Sequence, residues 1–196
     1  MRRSALAIAM TALLSGCAQL AGLFGGGQAI LVEPDAPEVI LVTVPALRAQ
    51  GYAVPSARIG SVTTWRTADN ATFSFDRGVI VSTRGLGDDL MGADIDQSIA
   101  ASTGGAGGWA PRINGYMNGE YQSYFMTFQC RRSGSQSDSV VLGDRSVSAT
   151  RFTETCVNDE REIENTYWRN GNGVMVKSRQ WVSPSVGYME TERVIR

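Results

Sequence analysis

The stretch from Ile163 to Val182 sets the tightest limit on the fold. Two runs rich in β-branched and aromatic residues, Ile163 to Arg169 and Val174 to Val182, flank the tetrapeptide Asn170-Gly171-Asn172-Gly173. Asn and Gly supply the positive φ angles that a tight hairpin demands, so the two runs must return on each other as antiparallel strands. Pro184 ends the second run, and Val186 to Ile195 can form one more strand.

The same grammar recurs upstream. Val39 to Val44 is β-branched and apolar on both faces, as a central strand is, and Pro45 limits it. Ile59 to Arg66, Thr72 to Phe75 and Val79 to Thr83 follow, with turns at Asp69-Asn70 and Arg77-Gly78. Tyr121 to Cys130 alternates Tyr124, Met126, Phe128 and Cys130 against Ser123, Phe125, Thr127 and Gln129. Val140 to Leu142 and Ser146 to Cys156 are further strands, broken at Gly143-Asp144, and Ser133 to Ser139 reads as a loop. Gly85 to Gly108 is glycine-rich, with one short helix expected over Asp94 to Ala101 and a mobile loop at residues 104–108. The expectation is an all-β chain: a single antiparallel β-barrel, half-barrel or sandwich-like domain of about nine or ten strands with one short helix.

The N-terminus reads as a processing signal. Arg2 and Arg3 precede an apolar run, Ser4 to Leu14, which is too short to span a bilayer as a permanent helix. It ends in Leu14-Ser15-Gly16-Cys17, which resembles the lipobox of bacterial lipoproteins. Residues 1–16 are then a lipoprotein signal peptide, and Cys17 is the lipid attachment site. Residues 17–36, with Gly25-Gly26-Gly27 near their middle, form a flexible tether whose r.m.s. reach is roughly 25 Å. Residues 37–196 form a β-rich periplasmic domain. Several acyl chains hold a protein firmly where one does so only marginally. Ala18 in place of the aspartate that usually signals inner-membrane retention favours the outer membrane, with the domain facing the periplasm.

Composition removes whole classes of chemistry. The sequence contains no histidine, which excludes Ser-His-Asp and Cys-His catalysis and imidazole metal sites. With 18 basic residues, 19 acidic ones and a single lysine, Lys177, the chain has no basic patch for nucleic acid. The excess of arginine over lysine reads as genome composition. Three cysteines suit an oxidising compartment: with Cys17 acylated, Cys130 and Cys156 remain as a disulfide pair. Two reduced, buried thiols are the alternative.

No motif identifies a catalytic, metal or cofactor site. Asp88, Asp89, Asp94 and Asp96 cluster without calcium-loop spacing and read as a solvated acidic loop. Gly85-Leu86-Gly87 lacks the third glycine and the strand-then-helix setting of a dinucleotide site. Glycoside cleavage needs two carboxylates about 5 to 9.5 Å apart, and nothing singles out two of the 19 acids. Trp65, Trp109, Tyr116, Trp168 and Trp181 are carbohydrate-binding candidates, because flat rings with polar edges stack on sugars; each is equally an ordinary strand residue.

Two stretches carry a family likeness. One is Trp65-Arg66-Thr67-Ala68-Asp69-Asn70-Ala71 with Arg77 through Leu90; the other is Asn165-Thr166-Tyr167-Trp168 with Lys177-Ser178-Arg179-Gln180. Together with the lipobox they resemble the YjbF family, the group 4 capsule polysaccharide lipoproteins, from about Val39 onward. The resemblance implies an envelope accessory in exopolysaccharide or capsule production and export, with no established enzymatic role and no catalytic residues to transfer. It makes Gly85-Leu86-Gly87-Asp88 a family turn. The expected partners are the membrane, through the N-terminal lipid, and exopolysaccharide or polysaccharide export proteins. The competing expectations are a periplasmic lipid or acyl-chain carrier built on a curved half-barrel and, behind it, a glycan-cleaving enzyme.

Overall fold

The computed structural model describes residues 38–105 and 107–194, so Cys17, the signal peptide and the tether lie outside the described residues. Twelve strands form one antiparallel sheet. They are β1 (Ile40–Val44), β2 (Ala49–Ile59), β3 (Val62–Thr67), β4 (Thr72–Asp76), β5 (Val79–Arg84) and β6 (Asp89–Ala93) in the first half. The second half holds β7 (Ala110–Met117), β8 (Ser123–Leu142), β9 (Arg145–Val157), β10 (Glu162–Asn170), β11 (Met175–Ser183) and β12 (Gly187–Arg193). One helix, α1 (Asp96–Ser102), separates β6 from β7.

The order in the sheet is β5-β4-β3-β2-β1-β12-β11-β10-β9-β8-β7-β6. Two meanders are thus joined by the pairing of the first strand with the last, Ile40 opposite Arg193 and Val42 opposite Thr191. The two edges, β5 and β6, are consecutive in the chain and meet through side chains rather than a backbone ladder. Thr83 Oγ1 donates to Asp89 Oδ1 at 2.9 Å and accepts from Leu90 N at 3.0 Å. The sheet is a nearly closed barrel. Register shifts at Pro55/Ala57, Ser74/Phe75, Leu90/Gly92 and Trp181/Ser183 supply the bends that such curling requires.

Trp65, Phe73, Phe75, Leu90, Phe128, Trp181 and Met189 fill the interior from facing strands. Burying each large apolar side chain contributes about 1.5–3 kcal/mol, and the Trp181 ring meets Phe128 edge-on at 5.4 Å. The barrel is flattened: Gln180 on β11 reaches the opposite edge, accepting from Ile80 N and donating to Gly78 O, both at 2.9 Å. A free edge of β5 is thereby satisfied inside the molecule, as the cost of an unpaired buried amide requires. Helix α1 seals part of one end, with Ile95 and Ile99 packed on Val79 and Tyr167.

The strand count exceeds the expected nine or ten because β2, β6 and β7 carry weak patterns. In β2, Gln50, Gly51, Pro55 and Ser56 interrupt the apolar residues; β6 is short and includes Gly92. Ser133 to Ser139 is strand, not loop: it continues β8 into a 20-residue arm paired with β9. Its side chains are largely exposed, so no apolar alternation marks it. The helix begins two residues later than expected, at Asp96.

Candidate functional site

At one end of the barrel three hairpin turns and one end of the β1–β12 seam frame a cavity of about 300 Å³. Glu38 and Ile40 reach it from the start of β1, and Thr191 and Arg193 from the end of β12. Arg58 and Ser61 come from the β2–β3 turn, Arg77 and Gly78 from the β4–β5 turn, and Gly173 to Met175 from the β10–β11 turn. Thr63, Trp65 and Phe75 line its inner wall and Arg169 its side. The β4–β5 and β10–β11 turns touch closely. Gly78 sits at φ +88°, and a side chain there would come within 2.7 Å of Met175 Cβ, so glycine is required on both counts.

Among the described residues, four guanidinium groups and one carboxylate line this mouth. Glu38 bridges Arg193 at 3.4 Å and Arg58 at 4.0 Å, while Arg77 pairs with Asp76 at 3.1 Å. Arg169 is different. It is 7% exposed, and its Nε donates to Ser102 O, Nη1 to Gly173 O, and Nη2 to Arg77 O and Ser102 Oγ, at 2.6–2.9 Å. Among the described residues no carboxylate lies within ion-pair distance of it. Burial pulls its guanidinium down from the ordinary value, with neighbouring Tyr167 opposing and Arg77 adding to the fall.

A second buried arginine lies deeper. Arg112, 2% exposed, pairs with Glu154 at 3.6 Å and donates to Ser98 Oγ and Asn114 Oδ1. Glu154 also accepts from Ser98 Oγ, Asn165 Nδ2 and Tyr167 Oη at 2.7–3.0 Å. Burial, followed by the charge of Glu154, raises the Tyr167 hydroxyl well above its usual range and keeps it a donor. Asn165 Oδ1 accepts from the Trp181 backbone amide at 2.8 Å, just beyond the last β10–β11 pair, Thr166 with Arg179. This network is closed on itself.

A family model described as "Group 4 capsule polysaccharide lipoprotein gfcB, YjbF" matches residues 30–194. The chain belongs to the YjbF family. Its membership ties the chain to capsule polysaccharide production and to the lipoproteins. Among solved structures, the hypothetical lipoprotein YmcC from Escherichia coli (K12) is similar with a TM-score of 0.65 and 16% identity, over 81% of this chain and 84% of that one. At that identity the likeness speaks for the fold. No curated protein matches the chain in sequence.

In this YjbF-family barrel the five candidate aromatics do not converge. Trp65, Tyr116 and Trp181 are buried in the main core, and Trp65 also borders the mouth. Trp168 packs beside Val140, Leu142, Ala149 and Val176, with its indole N–H donating to Asp138 at 2.9 Å. Trp109 is 48% exposed, with Arg131 stacked 4.6 Å above its ring. Cys130 and Cys156 are directly opposite on β8 and β9 and form a disulfide. Their sulfurs and the Glu154 carboxylate lie within 4.8 Å, but bonded sulfurs are not thiolate ligands.

The acidic loop is also resolved into structural parts. Asp88 is buried and accepts from Tyr124 Oη at 2.8 Å and Ser185 Oγ at 2.9 Å. Burial and that carboxylate raise the Tyr124 hydroxyl above its ordinary value. Asp89 accepts from Gly85 N and Leu86 N, so the Gly85-Leu86-Gly87-Asp88 turn is held from within. Sequence reasoning missed Arg58, Arg77, Arg169 and Arg193. Arg77 stands in a turn that carries the family likeness but signals no charge site, and Arg58, Arg169 and Arg193 belong to no motif.

Proposed function

We propose that this chain is an outer-membrane-anchored, non-enzymatic accessory of exopolysaccharide or capsule production and export, which binds the glycan or an export component. The observation that carries the reading is the position of the mouth: Glu38, the first described residue, lines it. A tether running back to an acylated Cys17 would leave the domain from the rim of its own cavity. The arginine-lined opening would then be held near the membrane, where polysaccharide and export proteins pass.

The lining supports a binding role over a catalytic one. Glycosidic cleavage uses two carboxylates, and among the described residues Glu38 is the single carboxylate lining this cavity. An acyl-chain carrier needs a continuous apolar channel, whereas Trp65, Phe75, Phe128 and Trp181 pack the space below the mouth.

Two measurements test the reading. Deleting the gene under conditions that induce the polysaccharide should lower the surface or secreted amount, and an unchanged amount overturns it. Cys17→Ala should release the protein into the soluble periplasmic fraction; continued sedimentation with membranes would contradict the lipid anchor.

A further inference from the structure

We propose that the mouth is a binding site for an anionic sugar residue, with Arg169, Arg77 and Arg58 facing its acidic group. This rests on the glycan-binding half of the reading above and names the chemistry of the ligand. Three observations converge on it.

The first is local charge. The whole chain carries −1, yet the cavity gathers four guanidiniums against one carboxylate. Such a concave, one-signed lining concentrates counter-ions of opposite charge.

The second is Arg169. A buried cation without a counter-ion is costly, and this one is fixed in the cavity wall by three backbone carbonyls and a hydroxyl. The same groups hold it rigidly in place, so its charge is aimed before any ligand arrives. Arg58 and Arg77 are more than half exposed at the rim, where each holds only a solvent-exposed ion pair, with Glu38 and Asp76; such pairs are weak enough to yield to an arriving carboxylate or phosphate that offers the planar fork a better fit.

The third is the remaining lining. Ser61 and Thr63 offer hydroxyls, Thr191 keeps its own on Ser178, and the Trp65 and Phe75 rings border the cavity. Hydroxyls match a sugar's polar rim and rings match its C–H face. The volume of about 300 Å³ lies at the small end of ligand sites. It suits one ring, with the rest of a polymer outside, and does not suit an acyl chain.

Calorimetric titration of the full-length lipidated chain in neutral detergent tests this. The probes are trigalacturonic acid, its fully methyl-esterified counterpart, and vesicles of phosphatidylglycerol. The acid should bind one to one, with the uncharged ester weaker by about tenfold or more. Arg58→Gln with Arg77→Gln should weaken the acid by a similar factor without moving the thermal midpoint, and Arg131→Gln on the far wall should leave it unchanged. Equal binding of acid and ester overturns the inference and leaves a glycan-binding role standing. Binding of vesicles but not the acid assigns the site to a lipid headgroup and also overturns it. Binding of neither sugar overturns it, and an unchanged polysaccharide phenotype on deletion would then remove the broader reading separately.

Discussion

Two arginines are buried in this barrel, and their surroundings could hardly differ more. Arg112 faces Glu154, and the carboxylate accepts three further hydrogen bonds from Ser98, Asn165 and Tyr167. Arg169 has only carbonyl and hydroxyl acceptors and borders an open cavity. Both are buried, on β7 and on β10, so burial alone does not separate them. The balance of charge does. A buried cation with its own counter-ion belongs to the architecture, whereas one without it leaves an electrostatic demand that a ligand can meet.

Removing the counter-ion from the first site should have the largest effect. Glu154→Gln strands Arg112 in the interior and should cost about 3–5 kcal/mol, read from urea unfolding. A loss below about 1 kcal/mol would put this pair among surface ion pairs and collapse the distinction.

Next comes the disulfide beside that network. Cys130→Ser with Cys156→Ser opens a loop with a sequence separation of 26. The chain-entropy model gives a loss of about 3.5 kcal/mol. Because the bridge is remote from the mouth, ligand affinity of the folded variant should be unchanged; a parallel loss of affinity would show the two regions to be coupled.

Arg169→Met should cost less, about 1–3 kcal/mol, because it removes hydrogen bonds but strands no opposite charge. The acid-over-ester preference should fall with it. If Arg169→Met proved as destabilising as Glu154→Gln, Arg169 would be architectural too.

The smallest effect concerns pH. The Trp168 indole and the Ser139 amide hold the Asp138 carboxyl below its ordinary range. A folded-state value below the unfolded one stabilises the protein above the unfolded pKa of about 3.9. That contribution is lost as pH falls through the folded value. Trp168 emission should shift over that acidic window in the wild type and stay flat in Asp138→Asn. Mouth binding should be indifferent to the substitution.

Legibility in the sequence followed burial. Strands with one face in the core, such as Thr72–Asp76 and Val79–Arg84, advertise themselves through Phe73, Phe75, Val79 and Ile80. The Asn170 to Gly173 turn announced its hairpin, and Cys130 and Cys156, expected as a pair, are bonded. The arm from Ser133 to Ser139 had no such signal, because mostly exposed side chains leave composition unconstrained. The mouth was invisible for another reason. Arg58, Arg77, Arg169 and Arg193 stand on four separate segments that only closure of the sheet brings together. Trp65, Tyr116 and Trp181 were legible as aromatics, but whether a ring faces the core or solvent depends on register, which spacing alone did not supply.

The pairing of β1 with β12 has a consequence for how such a chain reaches its working form. Ile40 to Thr43 pair with β2 on one side and with Glu190 to Arg193 on the other, and Val194 N donates to Val39 O at 3.0 Å beside them. The seam of the barrel therefore waits for the last residues of the domain to be delivered. As the chain is extended from its N-terminal side, the first meander can pair within itself, but β1 must keep one edge bare until β12 is available. Contacts of such long sequence separation form slowly, and an unpaired strand edge invites mispairing with other chains. Delivery of the C-terminal strand is thus the step that commits the molecule, and shaving off Gly187 to Arg193 would leave an opened, adhesive sheet rather than a slightly smaller barrel.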